Sequence, residues 1–417
     1  MSNHYNVVVI GGGTGGIMTS AQLLRHDKNL KIAVVEPSDK HVYQPAWTLV
    51  GANTYDYDKT IRPESSVMPK QVTWVKEYAE TFDPENNKVI TKNGTELTYD
   101  YLIVSPGIQI NLDGIEGLKE TMGKNGVCSN YIDPKYTWEC LKNFKGGNAL
   151  FTQPTTPIKC GGAPQKIMYL ADDHFRKAGV RDKSNVIFAT PGGVIFGVSP
   201  FKEELERIIK KKDIDFKPFY AITKIDGEKK EAHFKHTATG ENQCVIMEDN
   251  KLQERTEGDD TIVIPFDMLH LAPPQSAPDF IKKSPFANDA GWMDVDINTL
   301  QSNKYKNVFG LGDVAALPTA KTGAAIRKQA PVVVGNILHL MKNGSLADKK
   351  YQGYSSCPLV TGYGKMLLAE FGYENKRMSD PFLTKFVDTS KEKWSMWILK
   401  KYGLPYLYWN KMMKGKM

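Results

Sequence analysis

No run of roughly eighteen apolar residues occurs in this 417-residue chain, so no segment reads as a membrane-spanning helix. Cysteine is scarce. The five residues, Cys128, Cys140, Cys160, Cys244 and Cys357, include no C-x-x-C pair and no cluster with histidine at zinc-ligand spacing. That excludes a secreted disulfide framework and a zinc finger, and it predicts a reducing compartment. A strong charge of one sign is also missing. The formal charge is +7, and lysine and arginine are spread along the chain without interleaved aromatics, which argues against nucleic acid as a partner. A mild positive charge suits a small anionic substrate or an anionic membrane surface. Nothing at the start reads as a signal or transit peptide, since a strand pattern begins within six residues of Met1. With 41% hydrophobic and 24% charged residues, the chain has the composition of a globular protein of two or three domains.

What is present begins with Val7-Val8-Val9-Ile10, the signature of a strand buried on both faces, followed by Gly11-Gly12-Gly13-Thr14-Gly15-Gly16. Gly11, Gly13 and Gly16 fit G-x-G-x-x-G. The first glycine permits a tight turn, the second lets backbone approach a pyrophosphate, and the third lets helix and strand pack closely. The next strand, Lys31 to Val35, ends in Glu36, twenty residues past Gly16, where an acid accepts from an adenosine ribose hydroxyl. The motif predicts a dinucleotide without choosing between NAD and FAD. A hairpin at 89–98 and a further buried strand to Ser105-Pro106-Gly107 bring the chain back beside the first loop. A second α/β unit follows, with strands at 149–152 and 185–190 around a helix at 163–176. Its glycines, in Pro191-Gly192-Gly193-Val194-Ile195-Phe196-Gly197, are wrongly spaced for a nicotinamide nucleotide, and Phe216, Pro218 and Phe219 stand where an acid is wanted. Residues 220–265 read as a polar surface meander. The predicted class is α/β with two Rossmann-type domains and a C-terminal amphipathic membrane-interface segment. Residues 1–110 with 290–345 form the first domain, 111–289 the degenerate second, and 346–417 the C-terminal region.

Three further stretches carry chemistry. Asn307 to Asp313 is a strand ending in G-x-G-D, and Asp313 suits the ribityl hydroxyls of a flavin. Lys321-Thr322-Gly323 opens a long helix whose N-terminus would face a flavin carbonyl. Cys160, in Lys159-Cys160-Gly161-Gly162-Ala163-Pro164, sits at a predicted helix N-terminus beside Lys159, which should lower its pKa and make it nucleophilic. Cys357 lies in what reads as a turn entering an apolar segment. From Trp394 to Met417, three of the seven tryptophans alternate with lysines around Gly403-Leu404-Pro405. This predicts short helices lying in a membrane interface, at the cytoplasmic face of the plasma membrane; packing on the protein's own core, or a homodimer contact, is the other use for such a face.

The stretches His41–Gly51, Lys159–Leu170, Val308–Thr322 and Ser356–Phe371 together resemble the sulfide:quinone oxidoreductases, the group shared by bacteria and mitochondria, over nearly the whole chain. The resemblance implies FAD as cofactor, with contacts from Gly11, Gly13, Thr14, Gly15, Gly16, Glu36, Gln44, Ala79, Gly107, Asp313, Lys321 and Thr322, and no metal. It implies Cys160 and Cys357 as the catalytic redox pair. Hydrogen sulfide would attack their bridge, leaving a persulfide on Cys357 and a thiolate on Cys160. Electrons would pass through FAD to a membrane quinone, ubiquinone or menaquinone, and the sulfane sulfur to sulfite, a small thiol or a second sulfide. Cys128 falls where some bacterial members of the wider family carry a third functional cysteine; Cys140 and Cys244 are assigned no role. Leu359, Tyr363 and Phe386 are the expected quinone contacts. Two other readings stay open at this stage: a type II NADH:quinone oxidoreductase-like flavoenzyme, and a non-catalytic flavin-binding membrane-surface protein.

Overall fold

The computed structural model describes residues 3–239, 248–258 and 260–417; Cys244 and part of the charged loop at 228–260 lie outside them. Strand β1 (His4–Ile10) is buried from Val7 onward because both of its faces are covered. Val7 and Val9 point into a cluster with Ile17 and Leu23 of helix α1 (Thr14–His26) and Val333 and Ile337 of the long helix Gly323–Asn343. Val8 and Ile10 point the other way, onto Val89, Phe286 and Val295. This period-two division is why an unbroken apolar run makes a central strand.

β1 pairs in parallel with β2 (Ile32–Val35) on one side and with the strand Glu96–Val104 on the other. The hairpin strand and the buried strand expected separately at 96–104 are one nine-residue strand. Its first half pairs antiparallel with Lys88–Thr91, and its second half pairs in parallel with Val308–Gly310, so one strand serves two neighbours on the same side. Residues from beyond position 300 thus complete the sheet that the first hundred begin.

A second sheet is wholly parallel, ordered Val127–Cys128, Met268–Leu271, Gly147–Thr152, Ser184–Thr190, Asp215–Pro218. The helix Ala163–Lys177 packs against it through Ile167, Met168, Leu170 and Ala171, all fully buried. The expected surface meander is half core: in its four-stranded antiparallel sheet, Ile222, Phe234 and Ile262 pack against Leu150, Ile187 and Leu269 of the parallel sheet.

Cys357 is not in a turn. It is the third residue of the strand Ser355–Gly362, paired with Ala369 of Lys365–Phe371. The segment after Trp394 has both of the faces its sequence offers. Trp397, Tyr408, Trp409, Met412 and Met413 are buried in the protein's own core, while Trp394, Tyr402 and Tyr406 are exposed at 69%, 59% and 59%. Amphipathicity here divides one helical stretch between a core face and an outward edge. No helix among the described residues is long and apolar enough to cross a membrane.

Candidate active site

One cavity of about 730 Å³ runs from the glycine loop to Cys160. Gly13, Thr14, Gly15, Glu36, Gln44, Gly107, Asp313, Lys321 and Thr322 all line it. The other motif glycines act from behind the wall. Gly11 has φ +94°, and a Cβ there would lie 2.6 Å from the Ser105 carbonyl oxygen; at Gly16 a Cβ would lie 1.9 Å from the Gly11 carbonyl oxygen. At Gly13 nothing stands within 4 Å, leaving backbone open to the cavity. Glu36 accepts from the Gly12 N–H at 2.7 Å and the Ser38 N–H at 2.8 Å, and burial pushes its carboxyl up. Ala79 is misplaced by the sequence reading. It begins the strand Ala79–Asp83 and is packed in the core with Val35, Phe82 and Val89, away from the cavity wall.

Across the cavity, burial raises the Asp313 carboxyl, opposed by the nearby Lys159 and Lys321 charges. Burial lowers Lys321 to about 8 while its ammonium donates to the Ala315 carbonyl at 2.9 Å. Thr322 caps the long helix, its hydroxyl accepting from the Ala325 N–H at 3.1 Å, and meets the Ser355 hydroxyl at 2.8 Å. That contact ties the cofactor helix to the strand bearing Cys357.

Cys160 stands in the left-handed region, φ +51°, a conformation that costs a residue with a Cβ about 1–2 kcal/mol. It is held there by its N–H donating to the Lys321 carbonyl at 2.8 Å, and by its own carbonyl accepting from the Ala163 N–H at 2.7 Å and the Tyr131 hydroxyl at 3.2 Å. Gly162 lets the second cysteine approach, since a Cβ there would sit 2.5 Å from the Cys357 sulfur. Both residues are free thiols in contact with each other; Cys160 lines the cavity, and Cys357 lies just behind it between Ser356 and Pro358, which do.

The lysine expected to activate Cys160 is the wrong one. Lys159 turns its ammonium to the Gln44 side-chain carbonyl, and burial lowers its pKa. Lys166, one turn into the helix, places its Nζ 3.0 Å from the Cys160 sulfur and is 1% exposed. The Cys160 thiol is held well below its ordinary range by the hydrogen bond from Cys357 and by the Lys166 charge, against burial. Cys357 is pushed up by the same bond and by burial. Burial also presses on Lys166, but the two sulfurs more than reverse it and keep the ammonium charged. A second buried lysine, Lys400, donates to the Pro45 carbonyl at 2.8 Å and is lowered to about 7 by burial and by Lys166. Neither Lys166 nor Lys400 stood out in the sequence. The available signal was a lysine set directly before the apolar run Ile167-Met168-Tyr169-Leu170, a position no solvated lysine needs.

Cys128 does not reach this site. It is fully buried in its strand, its thiol in contact with Cys140. Leu359, Tyr363 and Phe386 do not line the cavity either: Leu359 is core, the Tyr363 hydroxyl donates to the Ala52 carbonyl, and Phe386 is 73% exposed. The apolar wall nearest the outward edge is made instead by Phe382, Leu383, Leu399, Leu404 and Leu407.

Residues 5–137 match the pyridine nucleotide-disulphide oxidoreductase family model. Over 415 residues, 99% of this chain and 87% of the relative, the chain is 43% identical to the mitochondrial sulfide:quinone oxidoreductase of Mus musculus. The Dictyostelium discoideum protein of the same name is also 43% identical, over 100% of this chain and 87% of its own. The chain belongs to the sulfide:quinone oxidoreductase family. Its fold agrees with the X-ray structure of the Aquifex aeolicus sulfide:quinone oxidoreductase, with a TM-score of 0.79 at 21% identity over 99% of this chain and 92% of the other.

FAD is the cofactor of this family, and the residues present fit it. The first N–H groups of α1 have no capping side chain, and the open backbone at Gly13 leaves room for a pyrophosphate against them. Glu36 and Asp313 both offer carboxylates to the same cavity, groups that suit the hydroxyls of an adenosine ribose and a ribityl chain.

Proposed function

We propose that this sulfide:quinone oxidoreductase oxidises hydrogen sulfide at Cys160 and Cys357 and sends two electrons through FAD to a quinone. The observation that carries the residue assignment is the Lys166 ammonium at 3.0 Å from the Cys160 sulfur, with the Cys357 thiol in contact on the other side. In the oxidised state a sulfur bridge joins the pair. Lys166 and Lys400 draw hydrosulfide in, and it attacks the Cys357 sulfur. The bond to Cys160 breaks, Cys357 becomes a persulfide, and Cys160 leaves as a thiolate. A thiolate stabilised by a charge is the faster leaving group, which fixes the direction of attack. The outer sulfur then passes to a nucleophilic acceptor, a sulfite, a small thiol or a second sulfide. Re-forming the bridge from the two thiolates releases two electrons. The glycine loop, Glu36 and Asp313 would hold FAD, which would supply the two-electron acceptor between the cysteine pair and ubiquinone or menaquinone.

We assign cofactor binding to residues 1–110 with 290–345, and the Cys160 limb of the pair to 111–289. Quinone would enter past Phe382, Leu383, Leu399, Leu404 and Leu407. The exposed rings of Phe382, Phe386, Trp394, Tyr402 and Tyr406 would seat this rim on a lipid surface, at the cytoplasmic face of a plasma membrane or its equivalent in the mitochondrion named for the relatives. The test is quinone reduction by purified protein given sulfide and a water-soluble quinone. Cys160→Ser and Cys357→Ser are each expected to abolish turnover while retaining bound FAD; an unchanged rate in either variant removes that cysteine from the mechanism.

A further inference from the structure

The chain after Leu404 forms part of the wall of the dinucleotide cavity through Leu404, Leu407, Tyr408, Met412 and Met417. Tyr408 is 4% exposed, and its hydroxyl touches two groups. It meets the Thr14 hydroxyl at 2.9 Å and the His41 Nε2 at 2.6 Å. Thr14 is the first residue of α1, within the glycine loop itself. The other ring nitrogen of His41 faces the Glu64 carboxylate at 3.1 Å, and both side chains are nearly inaccessible. With a neutral imidazole the bonds run one way: Thr14 donates to Tyr408, Tyr408 to His41, and His41 to Glu64. The Tyr408 ring is further packed between those of Tyr43, at 4.6 Å, and Trp409, at 4.9 Å. Beyond it, Gly415 lies so close to α1 that a Cβ there would stand 2.7 Å from the Ala21 carbonyl carbon.

Burying a carboxylate, an imidazole and a phenol together is costly unless each is bonded, so such a chain fixes one geometry strongly. No step of sulfide oxidation uses it. What it does touch is the loop whose N–H groups would face the pyrophosphate.

We propose that Tyr408, oriented by the buried His41–Glu64 pair, is a positioning residue that clasps Thr14 and so holds the glycine loop closed on the dinucleotide. Release of FAD then requires the Tyr408–Thr14 bond to break, and the segment from Leu404 onward serves as a cofactor latch as well as the inner side of the outward aromatic edge. The inference rests on FAD as the cofactor and not on sulfide as the donor.

The test uses FAD-loaded protein passed at intervals through a desalting column, with the flavin retained per chain measured each time. Tyr408→Phe keeps the ring packing and removes the bond to Thr14 that release must break, and is expected to release FAD about three- to tenfold faster, the factor for losing one buried hydrogen bond. Tyr220→Phe, which removes a buried hydroxyl bonded to Glu254 at 2.5 Å in the other half of the molecule, is the control and should release FAD at the wild-type rate. Thr14→Val is expected to match Tyr408→Phe, and the double variant to be no faster than either, because both cut the same bond. Release in Tyr408→Phe within twofold of wild type, equal acceleration in Tyr220→Phe, or additive effects in the double variant would each overturn the proposal.

Discussion

Replacing Lys166 by methionine keeps the length of the side chain and removes one charge from beside one sulfur. At 3.0 Å, with an effective dielectric of about 20, the gross attraction between ammonium and thiolate is about 5–6 kcal/mol. Much of that is offset by the desolvation of a lysine that is 1% exposed. The net value of a buried hydrogen bond to a charged group is about 1.5–3 kcal/mol, so the acid dissociation constant of Cys160 should fall about 10- to 100-fold. The assay is the rate of iodoacetamide labelling at Cys160 across a pH series, read peptide by peptide so that Cys357 is followed separately. In Lys166→Met the labelling profile of Cys160 should move to higher pH, and sulfide-driven quinone reduction near neutral pH should fall and recover as the pH is raised. Lys166→Arg keeps the charge and should fall between the two. If the Cys160 profile of Lys166→Met superimposes on that of the wild type, the ammonium does not set the thiolate and the reasoning fails.

Lys400 offers a stability test of opposite character. Its folded pKa of about 7 lies below its ordinary 10.5, so the folded chain binds fewer protons and stability rises as pH increases through 7 toward 10.5. Lys400→Met loses that dependence; its stability relative to wild type in urea unfolding should be greatest near about pH 6 and should decline by about 2–3 kcal/mol by about pH 9. A constant difference would show that Lys400 is not buried as a charge. Gly16→Ala places a Cβ 1.9 Å from the Gly11 carbonyl oxygen and should yield no folded protein, whereas Gly13→Ala meets nothing and should fold while losing at least about tenfold in FAD affinity, measured by flavin titration. Replacing Trp394, Tyr402 and Tyr406 together by serine should weaken co-sedimentation with anionic vesicles at least about tenfold and leave reduction of a water-soluble quinone intact; unchanged sedimentation would move the lipid-facing surface elsewhere.

The parts of this protein legible in its sequence are those whose physics is local. An apolar run of four makes a strand that must be covered twice, and the spacing of Gly11, Gly13 and Gly16 states three separate steric demands that the backbone meets. Glu36 follows at the distance set by one helix and one strand, and Thr322 announces the start of a helix by capping it. Asp313 was legible because a strand ending in G-x-G-D has few other uses. The misassignments have a common origin. Ala79, Leu359, Tyr363 and Phe386 were placed by neighbourhood in the chain, yet whether they reach the cavity depends on which sheet edge or hairpin face they occupy. Cys357 read as a turn because Pro358 follows it, whereas the two-stranded hairpin accepts a proline where no ladder bond is needed.

The sequence by itself determined a strand buried on both faces, a glycine loop left open at Gly13, an acid at Glu36 and two cysteine motifs of marked local pattern, because each rests on contacts within a few residues or on one βαβ unit. Only the tertiary structure decided which lysine faces Cys160, since Lys159 and Lys166 differ by the turn of a helix and by what packs across from it. It alone brought Cys357 past Gly162 to its partner, nearly two hundred positions away. And it turned the aromatic, lysine-rich end of the chain inward over the cofactor loop. Composition shows that such a segment has two faces, but which partner each face meets is fixed by long-range packing that no local pattern encodes.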